Sequence, residues 1–152
     1  MKKFFHVANS YNNIGNALRL KGEYAETVKY CQKSVEIKRK KLGNEHPSTI
    51  SGMGFTLFMS GDKTNGLKLL KRAIAIQSKK LRKDHPDVAE TSYWLGLVHF
   101  ELAKSNKSAV SLKQAREYMQ RSYEIRMKKL GSAHPETQET AKSLKQFEQF
   151  KF

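Results

Sequence analysis

Apolar residues recur along the chain at three- and four-residue intervals, the spacing that gathers them on one side of a helix. Val7, Tyr11, Ile14 and Leu18 predict a first helix from Phe4 to about Leu20. Lys21-Gly22-Glu23 breaks the pattern, and Tyr24, Val28, Cys31, Val35 and Leu42 predict a second helix, from Tyr24 to Leu42. The pairing then returns. Ile50, Met53, Leu57 and Phe58, followed by Gly61-Asp62 and by Leu67, Leu70, Ile74 and Leu81, predict another helical hairpin. Val88, Leu95, Val98 and Leu102, followed by Leu112, Ala115, Met119, Ile125 and Leu130, predict a third. From His134 to Phe152 a single helix remains, carrying Leu144 and Phe147.

The junctions between hairpins repeat as well. Lys41-Leu42-Gly43 precedes His46-Pro47, Lys80-Leu81-Arg82 precedes His85-Pro86, and Lys129-Leu130-Gly131 precedes His134-Pro135. These are the three prolines of the chain. Proline, with a fixed φ and no N–H, suits the first turn of a helix and nowhere deeper. The copies are unequal: Phe4 to His46 is 42 residues, His46 to His85 is 39 and His85 to His134 is 49. The differences can be placed. His46 lies 8 residues before Gly54, against 11 from Phe4 to Gly15 and from His85 to Gly96, so the second copy lacks three residues at its helix start. Gly15 to Ser34 and Gly54 to Ala73 are both 19 residues, whereas Gly96 to Ser122 is 26. Seven residues are therefore inserted around Ala103 to Ser108, a Ser/Lys/Asn stretch that predicts a longer turn.

Tyr11-Asn12-Asn13-Ile14-Gly15-Asn16, Gly22-Glu23-Tyr24, Ser34-Val35-Glu36-Ile37 and Lys41-Leu42-Gly43 with His46-Pro47 carry a resemblance. Gly54, Gly61, Ala73-Ile74-Ala75-Ile76, Tyr93-Trp94-Leu95-Gly96, Tyr123-Glu124-Ile125-Arg126 and Leu130-Gly131 continue it. The chain resembles the tetratricopeptide repeat (TPR) family, and within it the 42-residue repeats of kinesin light chains. The resemblance implies an all-α fold, an α-α superhelix (TPR solenoid) of three helix-turn-helix repeats plus a C-terminal capping helix. The repeats fall at about residues 4–45, 46–84 and 85–133, with the capping helix at about 134–152, in a single array over residues 1–152. It also implies a scaffold or adaptor holding an extended peptide or partner helix in its concave groove. The lack of a phosphate-loop glycine pattern, of an acidic pair and of a His or Asp arrangement at Cys31 disfavours an enzyme. Small residues at Gly15, Gly54, Gly96, Ser34, Ala73, Ala115 and Ser122 let neighbouring helices approach, as stacked hairpins require.

Composition narrows the setting. A length of 152 residues with 38% hydrophobic and 28% charged residues suits one domain or one short array. The one cysteine, Cys31, forbids an internal disulfide and points to the cytoplasm. Met1-Lys2-Lys3-Phe4-Phe5 opens like a signal peptide, but its apolar run ends at His6, and no stretch reaches membrane-spanning length. Lys and Arg number 29 against 14 Asp and Glu, a net +15, with +9 in residues 1–76 and +6 in residues 77–152. Such a field favours acidic partners, including acidic peptides, nucleic acid and anionic lipid heads. Phe4 and Phe5 lie in a first helix that no cap precedes, which suggests missing repeats or self-association through that helix.

Binding residues are expected on the first helix of each pair. In the first repeat these are Asn9, Asn12, Asn13, Asn16 and Arg19; in the second Ser48, Ser51, Phe55, Phe58 and Met59; in the third Tyr93, Trp94, Leu97 and Phe100. The resemblance implies that asparagines there grip a peptide backbone, and Asn12, Asn13 and Asn16 match that pattern. Phe55, Phe58, Trp94 and Phe100 have a second reading as packing residues. The alternative function is electrostatic binding of nucleic acid or another polyanion through Lys38, Lys41, Lys79, Lys80, Lys83, Arg126 and Lys129, which share the helix-end positions where cations complement the helix dipole. His46, His85 and His134 stand about one repeat apart, too far for a shared metal, and no cofactor-binding pattern occurs. His99 and Cys31 read as core residues.

Overall fold

The computed structural model describes residues 2–152. Among the described residues there are seven helices and no strand. They are α1 (Lys2–Leu20), α2 (Tyr24–Leu42), α3 (Pro47–Ser60), α4 (Lys63–Lys80), α5 (Pro86–Asn106), α6 (Ala109–Leu130) and α7 (Pro135–Gln149). The all-α, hairpin-built class expected from the periodicity is the one observed. The chain forms two compact units, one ending at Ala73 and the other beginning at Ile74, with the boundary inside α4.

The His-Pro junctions do more than punctuate. In each, Nδ1 of the histidine accepts the backbone N–H two residues on: Ser48 from His46 at 3.1 Å, Asp87 from His85 at 3.0 Å and Glu136 from His134 at 3.1 Å. Each imidazole thus satisfies one of the four amide donors that a helix start leaves without an intrahelical acceptor. The proline beside it occupies the first helical position, where its missing N–H costs nothing.

In the first unit α1 packs on α2 and α2 on α3. α3 and α4 cross at two glycines. A Cβ on Gly66 would stand 2.7 Å from both the carbonyl oxygen of Gly54 and the amide nitrogen of Phe58. The helices can touch there because both positions lack a side chain. In the second unit α5 packs on α6 and α6 on α7. The buried Ser122 Oγ donates to the carbonyl of Ala89 at 2.8 Å, and Phe147 of α7 stacks on Phe100 with ring centroids 4.1 Å apart.

One register recurs in the three hairpins. Gly15 lies against Thr27 and Cys31, Gly54 against Gly66 and Leu70, and Gly96 against Ala115 and Met119. The offsets are 12 and 16 residues in the first two hairpins and seven more in the third, so the insertion is where the sequence placed it. Its form differs from expectation. The α5–α6 turn is just Lys107-Ser108, as short as Gly61-Asp62, and the added residues lengthen the helices instead. From its contact glycine α5 runs ten residues to Asn106, against six from Gly54 to Ser60. α6 runs six residues from Ala109 to Ala115, against three from Lys63 to Gly66. Four residues on one helix and three on the other add about one turn to each, which keeps the apolar faces opposed.

Candidate functional site

α1 separates its side chains into three stripes. Ala8 and Gly15 form a narrow buried stripe. On one side of it stand the amides: Asn9 and Asn13 are exposed, and Asn12, Asn16 and Arg19 are half-buried. Oδ1 of Asn16 accepts from Nε of Arg19 at 3.0 Å, one turn further along. Asn12 turns its Nδ2 inward, away from solvent, so that nitrogen is not available to a ligand. On the other side stand Val7 and Ile14, members of the apolar series that predicts the helix, yet 41% and 42% exposed.

The remaining expected groove residues are corrected by their burial. Ser51, Phe55 and Phe58 of α3 are buried, and Met59 is half-buried. The close crossing at Gly54 and Gly66 sets α4 against the Phe58 backbone. On α5 every residue from Thr91 to Phe100 is buried, which includes Tyr93, Trp94, Leu97 and Phe100. α6, α7 and the residues that follow α7 cover Tyr93 and Phe100. Phe150 meets the Phe100 ring edge-on at 5.1 Å, beside the stacked Phe147. The Tyr93 hydroxyl donates to Glu139 Oε1 at 3.0 Å, while the Arg126 guanidinium lies 4.8 Å over the Tyr93 ring. These aromatic groups hold α7 in place and line no open surface.

The basic set is corrected in part. Lys38 is 2% exposed and therefore in the interior, with its charge withdrawn from any polyanion. Arg126 is committed to α7, donating to Thr140 Oγ1 at 2.8 Å besides covering Tyr93. Lys129 and Lys128 flank Asp84 at 3.5 and 2.7 Å. The hydrogen bond from Lys128 holds the Asp84 carboxyl below the usual carboxylate range. Lys41, Lys79, Lys80 and Lys83 are exposed. Cys31 is buried, and His99 is buried with its ring stacked on Tyr118 at 5.6 Å. Among the described residues no group of three or more His, Cys, Asp or Glu side chains is placed to hold a metal ion, and no helix is long and apolar enough to cross a membrane.

Two roles were not legible in the sequence. The histidine caps are one. Arg116 is the other: its Nε donates to the carbonyl of Phe147 at 2.9 Å and its Nη2 to that of Phe150 at 3.2 Å, so a cation closes the C-terminal end of α7. A partner 31 residues away leaves no local signal.

The tetratricopeptide repeat family model matches residues 7–48, a span that takes in α2 and most of α1. The chain carries a tetratricopeptide repeat. Its fold is similar to a crystal structure of nearly identical TPR-like repeats from a Podosopora anserina protein described as a kinesin light chain, with a TM-score of 0.60 and 22% identity. That match covers 91% of this chain, which spans 64% of the neighbour's length. A crystal structure of a single-substitution variant of those Podosopora anserina repeats matches over 93% of this chain and 84% of its own, at 21% identity and a TM-score of 0.42. No curated protein matches the chain. Tetratricopeptide repeats generally mediate protein–protein interactions, through the extended surfaces that stacked hairpins create.

Proposed function

We propose that this tetratricopeptide repeat chain is a cytoplasmic, non-enzymatic scaffold that holds an extended peptide along the amide flank of α1. The observation that carries the reading is the pair of exposed carboxamides at Asn9 and Asn13, which make no hydrogen bond among the described residues. A carboxamide both donates and accepts, so it can pair with a peptide N–H or C=O. The spacing suits an extended chain. Residues four apart on a helix are separated by about 6 Å along its axis, close to the roughly 6.6 Å between alternate residues of a strand. Arg19 at the end of the same flank and the net charge of +15 favour a ligand with acidic residues.

Selection from a random peptide library followed by calorimetric titration tests this. Asn9→Ala combined with Asn13→Ala is expected to weaken the selected peptides by roughly 30-fold, the loss of two hydrogen bonds at about 1 kcal/mol each. Charge reversal at Lys79, Lys80 and Lys83 should leave that affinity unchanged. Equal binding by the asparagine variant and the wild type would remove the reading. Loss on charge reversal, with a steep salt dependence, would put a polyanion in the peptide's place.

A further inference from the structure

The flank of α1 opposite the amides faces a trough. Phe4 and Val7 of α1, with Ile37 of α2, line a hollow of about 560 Å³ rimmed by Lys3 and Lys41. Ile37 also lines a second hollow, of about 700 Å³, with Tyr11, Tyr30 and Lys33. Both hollows lie on the α1–α2 seam and share Ile37. The Tyr11 and Tyr30 rings lie 6.0 Å apart, with the ammonium of Lys33 5.5 and 4.8 Å from their centroids. The two acidic residues at the trough are already used: Glu26 pairs with Lys29 at 2.9 Å, and Glu36 with Arg39 at 2.6 Å and Lys40 at 3.7 Å. Among the described residues Lys3, Lys33 and Lys41 have no carboxylate partner.

We infer that this trough is a second docking site, separate from the amide flank, for an acidic amphipathic helix of a partner protein. The seam between two packed helices receives the ridge of a third, which favours a helix over an extended strand. From Phe4 to Ile14 the apolar side of α1 runs about 15 Å, enough for roughly three turns of a partner helix. The apolar stripe of that helix covers Val7, Tyr11 and Ile37, and its flanking carboxylates meet Lys3, Lys33 and Lys41. Charge decides against a second copy of this chain, since face-to-face docking would set the same three lysines against each other in a protein of net charge +15.

The probes are two synthetic helices of about 15 residues. Both have leucines at i, i+4 and i+7, one with glutamates beside that stripe and one with lysines in their place. The glutamate helix is expected to bind and the lysine helix is not. Val7→Gln, a change at an exposed position that leaves the thermal melt in place, should weaken the glutamate helix roughly tenfold. Lys33→Glu with Lys41→Glu should invert the preference. Binding of neither helix, or equal binding of both, overturns the inference. So does a wild-type dimer in sedimentation that Val7→Gln dissociates, because the occupant is then a second copy. Loss of binding on Asn9→Ala with Asn13→Ala, but not on Val7→Gln, would place the helix on the amide flank instead.

Discussion

Alanine at Gly66 and alanine at Gly15 put the same methyl group into two helix crossings of different closeness. At Gly66 the methyl would meet the Gly54 carbonyl oxygen and the Phe58 amide nitrogen at 2.7 Å, and the Phe58 Cα at 3.0 Å. All three are backbone atoms, so relief requires α3 and α4 to move apart. Overpacking of this kind costs about 1–3 kcal/mol, and the better helix propensity of alanine returns about 1 kcal/mol at most. Gly66→Ala should therefore lose up to about 2 kcal/mol. At Gly15 the nearest atoms are Cys31 Sγ at 3.4 Å, the Thr27 carbonyl oxygen at 3.5 Å and Tyr30 Cβ at 3.6 Å. Those are ordinary contact distances, so Gly15→Ala should gain about 0.5–1 kcal/mol. Urea denaturation followed by far-UV circular dichroism reads both as shifts in midpoint at an unchanged slope. A Gly66→Ala midpoint at or above the wild type, or a Gly15→Ala midpoint below that of Gly66→Ala, would refute the crossing geometry.

Removal of the His85 imidazole in His85→Ala deletes its hydrogen bond to the Asp87 amide and should cost about 0.5–2 kcal/mol, while His85→Asn, which can cap the same turn, should recover most of it. Thermal melts of the two variants check this, and an asparagine variant as unstable as the alanine one would show that the ring acts by packing. Lys128→Ala should raise the Asp84 carboxyl toward its ordinary pKa, measured by NMR titration, because the hydrogen bond from Lys128 is the leading cause of its depression. The sign follows: a depressed carboxylate stabilises the fold above its unfolded pKa, and that stability is lost as pH falls through the folded value. The wild type should therefore lose more stability on acidification than Lys128→Ala, and an unmoved Asp84 would refute the pairing.

The helices and their pairing were legible because period 3.6 and the Gly, Pro and His punctuation are local signals. The seven-residue insertion was also locatable, since counting between contact glycines needs no structure. Its form was not. Ser105, Asn106 and Ser108 resemble turn residues, yet the turn is short and helix continues to Asn106. The gain of a matched extra turn on both helices outweighs the modest propensity penalty of those residues. Side-chain fate was the least legible. Tyr93 and Trp94 share an arrangement with Asn12 and Asn13, in that each pair immediately precedes the stretch leading to its contact glycine. Tyr93 is held by Glu139 of α7, which lies more than 40 residues later in the chain, a partner that no local pattern announces. Val7 and Ile14 show the reverse case, apolar by pattern but exposed because no described helix covers that side of α1.

The two hairpins that begin with α1 and α5 use the same glycine register for opposite purposes. α5 is buried at every residue from Thr91 to Phe100, and Tyr93, His99 and Phe100 are engaged by α6, α7 and the Phe150 that follows α7. α1 buries little besides Ala8 and Gly15 at comparable positions and leaves both flanks open, one bearing carboxamides and one bearing Val7 and Ile14. An exposed asparagine row contributes little to packing, and an exposed apolar row costs solubility unless something covers it. Neither flank of α1 is explained by folding alone, whereas the side chains of α5 are. On the two readings proposed above, ligand binding concentrates on the first hairpin, and the two flanks differ enough in chemistry that a polar, extended ligand and an amphipathic helix need not compete for it.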